Sequence, residues 1–270
     1  MANSVDQAYL TARKALLDVL DILGPHLKSV ILVGAQAVYV HVGEADFSIA
    51  PFTYDSDLAI DPRDLVADPK LVEVMGLAQF FFTNQPGLYK RTADGAQVDL
   101  LVPEAIGGAG RRGARLGPQG NNSAMKVHGL EGAIVDHAPE QIGSFDSSDL
   151  RSHTIEVASP AALCVSKIIK IAERDLGDLR RQDSKDAFDV FRLLRAVPTL
   201  DLAAGLKHLL DNSLSSTVTS EAIGIFEEYF GAATKPGVQM VVKHVQGLEP
   251  EDIISSSCVA LSRDLINCLY

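Results

Sequence analysis

Apolar residues recur at helical spacing through residues 5–23, at Val5, Tyr9, Leu16, Leu20 and Leu23, and the pattern stops at Gly24-Pro25. A period near 3.6 that ends on a breaker predicts an amphipathic helix with a defined terminus. The next stretch, "SVILVG" at 29–34, is a continuous β-branched run closed by glycine, the pattern of a short buried strand. "AQAVYVHVG" then predicts a short helix ending at Gly43, so the order is strand, glycine turn, helix. Further strands are predicted at "YDSDLAI", "QFFFT", "GLYKRT", "AQVDLLV" and "HTIEVA", with a helix over about 69–77 where Asp68 and Pro69 supply cap and first turn. From Ser159 the strand pattern gives way to helices, one from Pro160 to about Leu176, one from Ser184 to about Arg195, and more beyond. The expectation is a mixed-sheet α/β (α+β) domain at 1–158 followed by a helical domain at 159–270.

Composition narrows the class. With 47% hydrophobic and 22% charged residues the chain is an ordinary globular protein, and no apolar run reaches the roughly 20 residues of a membrane helix. The opening "MANSVDQAYLTARKALLDVLDIL" lacks the basic-then-apolar order of a signal peptide, so a cytoplasmic location is expected. Cys164, Cys258 and Cys268 are odd in number and form no CxxC pair, which predicts buried free thiols rather than a disulfide framework or zinc knuckle. A net charge of −11 disfavours binding a polyanion over the whole surface. Screening within about 8 Å still allows a local basic patch. The candidate is the glycine-rich stretch between Gly107 and Asn122, expected to be a mobile loop, where Arg111, Arg112 and Arg115 stand without an acid near Lys90, Arg91 and Lys126.

The chemistry centres on "PFTYDSDLAID" at 51–61. Side chains alternate along a strand, so Asp55 and Asp57 project from one face while Ser56 and Leu58 point the other way. Two carboxylates about 5 Å apart repel by roughly 3 kcal/mol at an effective dielectric near 20, and a cation or an arginine must offset that. Asp99 in "QVDLLVP", on another apolar strand, would complete a three-carboxylate cage suited to Mg²⁺. Alone, an Asp-x-Asp pair is more often a strand end or a turn than a metal site. Gly34, closing the first strand, lets backbone N–H groups approach a phosphate. Lys167, Lys170 and Arg174 share one face of the Pro160 helix, a basic stripe that would hold a triphosphate if it faced the acids across a cleft; the alternative is a solvated face. Asp186 and Asp189, near Lys185, Arg192 and Arg195, fit a salt-bridged surface helix equally well. His41, His128, His137 and His153 fit no metal-ligand spacing.

Taken in order, "ILVGAQAVYVH", "TYDSDLAI", "QVDLLVP" and "SPAALCVSKIIKIAERD...RRQDSKDAFDVFRLL" resemble the nucleotidyltransferases of polymerase-β-like fold, and among them the AbiEii-like (MenT-like) toxins of bacterial toxin-antitoxin systems. The resemblance implies that Asp55, Asp57 and Asp99 hold Mg²⁺ and that Gly34, Ala35 and Lys167, with Lys170 beside it, contact the triphosphate of an NTP. It also implies that Asp186 orients the lysine or the attacking hydroxyl, that the acceptor is the tRNA 3′ end, and that a cognate antitoxin protein restrains the enzyme. Ala35 departs from the pattern, which has a second Gly or a Ser there. Two other readings stay open: a small-molecule nucleotidyltransferase of the antibiotic-modifying type, and a non-catalytic nucleotide-binding protein on the same fold.

Overall fold

The computed structural model describes residues 7–43, 52–177 and 184–270. The chain divides into two compact units, Met1–Ala37 with Ala50–Ala158, and Val38–Ile49 with Ser159–Tyr270.

The first unit is built on a mixed sheet. Helix α1 (Gln7–Leu23) buries Ala12, Leu16, Leu20 and Leu23, the face its periodicity marks; Val5, also part of that pattern, lies outside the described residues. Strand β1 (Val30–Val33) is buried at every position, as a central strand without a solvent face must be. It leads at Gly34 into α2 (Gly34–Val42). β1 pairs antiparallel with β2 (Asp55–Ile60), and β2 pairs parallel with β5 (Gln97–Pro103). Outward from β5 lie β4 (Leu88–Arg91) and then β3 (Phe80–Phe82), both antiparallel to their neighbours, while β6 (Met125–Val127) runs parallel along the later half of β5. On the other side β1 pairs parallel with β8 (Ser152–Ala158), which carries β7 (His137–Gly143) as its antiparallel edge. Two short helices, α3 (Leu71–Leu77) and α4 (Glu131–Val135), complete the unit. The sequence pattern does not announce β6, β7 or α4.

The arginine-bearing stretch is not the open loop its glycines suggest. Ala114 N–H donates to Ala124 O (2.9 Å), Lys126 N–H to Arg112 O (2.7 Å) and Arg115 N–H to Gly107 O (2.9 Å), which makes a hydrogen-bonded excursion. Its tip is anchored by the buried Gln119, whose Nε2 donates to the carbonyls of Val66, Ala67 and Pro69. Gln119 Oε1 accepts from Leu71 N–H at 2.7 Å. The start of α3 is therefore capped from a residue 48 positions away, not by Asp68 and Pro69, since its N-cap is Lys70 and makes no side-chain capping bond.

The second unit is helical: α5 (Pro160–Gly177), α6 (Ser184–Ala196), α7 (Thr199–Asp211), α8 (Ser216–Phe230), α9 (Pro236–Val245) and α10 (Glu251–Leu269). α5 packs on α6, α7 and α8, with Phe188, Phe191 and Phe230 fully buried. Residues 178–183, which include the quoted "RRQD", lie outside the described residues. Cys164 and Cys258 are buried, and burial pushes each thiol up to about 12, which leaves both unreactive at neutral pH; Cys268 is half-buried. Among the described residues no helix is long and apolar enough to cross a membrane.

Candidate active site

Register assembles the acids. In the parallel pairing of β2 with β5, Asp57 stands opposite Asp99 and Asp55 opposite Gln97. Ser56 and Leu58 are fully buried on the other face, while all three aspartates are half-buried. One carboxylate oxygen from each of Asp55, Asp57 and Asp99 lies within 4.8 Å of the other two. Thr53, itself buried, donates its hydroxyl to Asp55 Oδ1 at 2.7 Å, and Gln97 Nε2 donates to Asp99 Oδ1 at 3.2 Å. Each bond removes rotational freedom from a carboxylate before anything binds. Asp61, the third acid of the 51–61 stretch, is not part of the group; it accepts from the Arg63 guanidinium, with 2.5 Å from Oδ2 to Nη2.

Gly34 approaches the cluster from β1, whose last residue, Val33, pairs with Asp57. Its φ is +69°, and a Cβ built there would sit 1.9 Å from Asp57 Oδ2. Both the backbone region and the space exclude a side chain. Hard oxygen donors converging beside a bare backbone suit a small divalent cation. Gly34→Ala is expected to weaken Mn²⁺ binding at least about tenfold on top of the ~1–2 kcal/mol that a left-handed backbone costs an L-residue. Gly24→Ala, where φ is +53° and nothing lies within 4 Å, isolates the backbone cost alone. Equal loss of cation affinity in the two variants, measured by Mn²⁺ titration and thermal melts, would refute a role for the close approach. Ala35, in the first turn of α2, is buried at 3% exposure.

The helical unit places the remaining predicted residues. Lys167 is 4% exposed, and its ammonium donates to Asp186 Oδ1 at 2.8 Å and Asp189 Oδ2 at 2.7 Å. Asp186 also accepts from Arg174 at 2.6 Å and lies 3.8 Å from the Lys170 ammonium. The basic stripe is thus divided: Lys167 is interior, whereas the side chains of Lys170 and Arg174 are 46% and 32% exposed. Burial works against both charges of the central pair. The attraction of Asp186 and Asp189 outweighs it and holds Lys167 well above the usual lysine range; Lys167, then Lys170 and Arg174, hold Asp186 well below the usual carboxylate range. Asp186 and Asp189 belong to a buried face of α6, not a solvated one.

Of the expected basic patch, Arg111, Arg112 and Arg115 are exposed, Arg91 is engaged by Asp18 and Asp94, and Lys126 donates to the carbonyls of Gly108 and Gly110. His137 pairs with Glu156 and His153 with Asp21, not with the three clustered aspartates. Sequence reasoning missed Thr53 and Gln97; each is a polar residue two positions before an acid, the spacing that puts it on the same strand face.

A family model described as nucleotidyltransferase matches residues 12–210, a span that contains every residue placed above in either cluster. None of the curated proteins matches the chain. Among solved structures, the crystal structure of an antigenic nucleotidyltransferase-like protein from Paracoccidioides brasiliensis is similar at 18% identity, over 81% of this chain and 94% of that one, with a TM-score of 0.39. A likeness that slight carries no weight.

Proposed function

Because the chain belongs to the nucleotidyltransferase family, we propose that it transfers a nucleoside monophosphate from an NTP to an acceptor hydroxyl, with Asp55, Asp57 and Asp99 holding Mg²⁺. The observation that carries this reading is the convergence of those three carboxylates across the β2–β5 pairing. When bound, the cation neutralises phosphate charge and eases loss of the acceptor proton. The chain's own part is positioning and charge, which is most of what phosphoryl transfer requires. Thr53 and Gln97 hold two of the acids in orientation, and Gly34 leaves main chain free to meet phosphate oxygens. The acceptor oxygen bonds to the α-phosphorus as the bond to the β-phosphate's bridging oxygen breaks; pyrophosphate leaves, and the hydroxyl proton departs toward Asp99. In the helical unit Lys167 and Asp186 join α5 to α6, with the partly exposed Lys170 and Arg174 side chains beside them.

We place the enzyme in the AbiEii-like toxin branch, acting on the tRNA 3′ end in the cytoplasm under control of an antitoxin. The four motifs in their order support this, and so does the exposed arginine group. Incubation with each labelled NTP, Mg²⁺ and total tRNA tests it: label in RNA supports the reading, label in a small molecule alone moves the acceptor to another class, and no transfer removes the enzyme. Arg112 lies beyond β6, level with Val102, so it is about 10 Å further along the strands than Asp99 and two strand spacings, again about 10 Å, to the side; the arginines would grip RNA backbone away from the reacting end. Neutralising Arg111, Arg112 and Arg115 together is expected to weaken tRNA binding across sequences and to flatten its log–log salt dependence by ~0.7–0.9 for each lost phosphate contact. Affinity for NTP stays the same. Unchanged salt slopes for the triple variant would rule out an RNA role for the excursion.

A further inference from the structure

Behind the acids, on the opposite face of β2, lies a buried polar chain that the transfer reaction does not itself use. Arg13 on α1 is 5% exposed, and its described partners are all neutral: Gln36 Oε1 at 2.9 Å, Gly143 O at 3.0 Å and Tyr9 OH at 3.2 Å, with the Phe145 ring 4.4 Å away. Burial lowers the guanidinium pKa. Removing a cation from water without a carboxylate partner costs several kcal/mol. Such a group is retained at a cost to stability, so its placement calls for a use.

The use follows from donor chemistry. A guanidinium only donates, so Gln36 must turn Oε1 toward Arg13, and its Nε2 is thereby forced toward β2. There Nε2 donates to Ser56 Oγ at 2.7 Å and to the Asp55 carbonyl at 3.3 Å. Ser56 in turn donates to Ala12 O at 2.9 Å, one residue from Arg13. Gln36, 1% exposed, stands two residues after Gly34, whose backbone fits against Asp57. One amide therefore ties the start of α2 to the main chain between the two acids.

We infer that Gln36, oriented by Arg13, is a positioning residue that sets the spacing of Asp55 and Asp57 against Gly34 and so tunes the cation affinity of the cluster. The inference rests on the metal-site reading above. Outer-shell partners of this kind typically contribute 10–100-fold to metal affinity. The probe is Mn²⁺ binding followed by electron paramagnetic resonance, well below the melting temperature, in wild type, Gln36→Met, Ser56→Ala, the double variant and Asp57→Asn. The expected result is binding weakened about 10–100-fold by Gln36→Met, less by Ser56→Ala, and no further by combining them, because both act through one link. Wild-type affinity in folded Gln36→Met overturns the inference, as do additive effects in the double variant. If Gln36→Met does not fold, Ser56→Ala decides: weaker binding with an unchanged melt supports the link, and unchanged binding removes it. Wild type and Asp57→Asn binding Mn²⁺ alike would instead defeat the metal site itself, and the inference with it.

Discussion

Asp57→Ala is expected to abolish nucleotide transfer, by about three orders of magnitude or more (~4 kcal/mol of lost transition-state stabilisation), while the melting temperature holds or rises. The two effects have opposite signs because Asp57 is central to the cluster: opposite Asp99, two residues from Asp55 and in contact distance of the Gly34 backbone. Without a cation the three carboxylates repel one another, by up to ~3 kcal/mol for a close pair, and deleting one relieves that strain. With a cation the same deletion removes a ligand. Turnover assayed beside thermal melts separates the cases. A variant that retains activity sinks the metal reading, and one that melts far below wild type makes Asp57 a structural residue.

The second large effect is on stability. Lys167→Ala is expected to cost ~3–5 kcal/mol of folding free energy, because it leaves Asp186 and Asp189, 3% and 1% exposed, without their shared cation. Ala at Lys170, whose side chain is 46% exposed, changes stability little. The pH dependence follows from the signs. Asp186 has a folded pKa below its unfolded value near 4, so its contribution is complete above that pH and is lost on acidification. Lys167 has a raised pKa, so its contribution is complete below about 10.4 and is lost as pH climbs past it. Stability from this cluster is flat between roughly pH 5 and 10, and the acid limb shrinks in Asp186→Asn. Denaturant melts across that range check this; a Lys167→Ala protein as stable as wild type would mean that the cluster adds nothing to the fold.

How far the sequence carried these conclusions varied with the kind of signal. β1, β2, β5 and the long helices follow from apolar periodicity, because burial enforces it. The acids were legible because strand alternation puts Asp55 and Asp57 on one face; the partnership with Asp99 needed only that its strand be a neighbour. β7 was not legible. As an edge strand it is exposed over His137–Gln141 and takes its hydrogen bonds from β8, so nothing constrains its residues to alternate. The burial of Lys167 was hidden for a related reason. On its own helix it looks like one cation in a basic stripe, and the acids that make its burial tolerable belong to α6. Arg13 and Gln36, 23 residues apart on different helices, left no periodic trace.

The excursion from Gly107 to Asn122 also bears on proteolysis. Three exposed arginines in a glycine-rich stretch look like an inviting target for a trypsin-like protease, whose active site needs an extended run of free backbone. Here the backbone from Arg112 to Leu116 is committed to Lys126, Ala124, Gly107 and Gly120, and Gln119 rivets the tip to residues 66–71. Cleavage after Arg112 or Arg115 must wait for that flap to peel away from the β6 edge. The arginines are displayed on the surface without making the chain easy to cut.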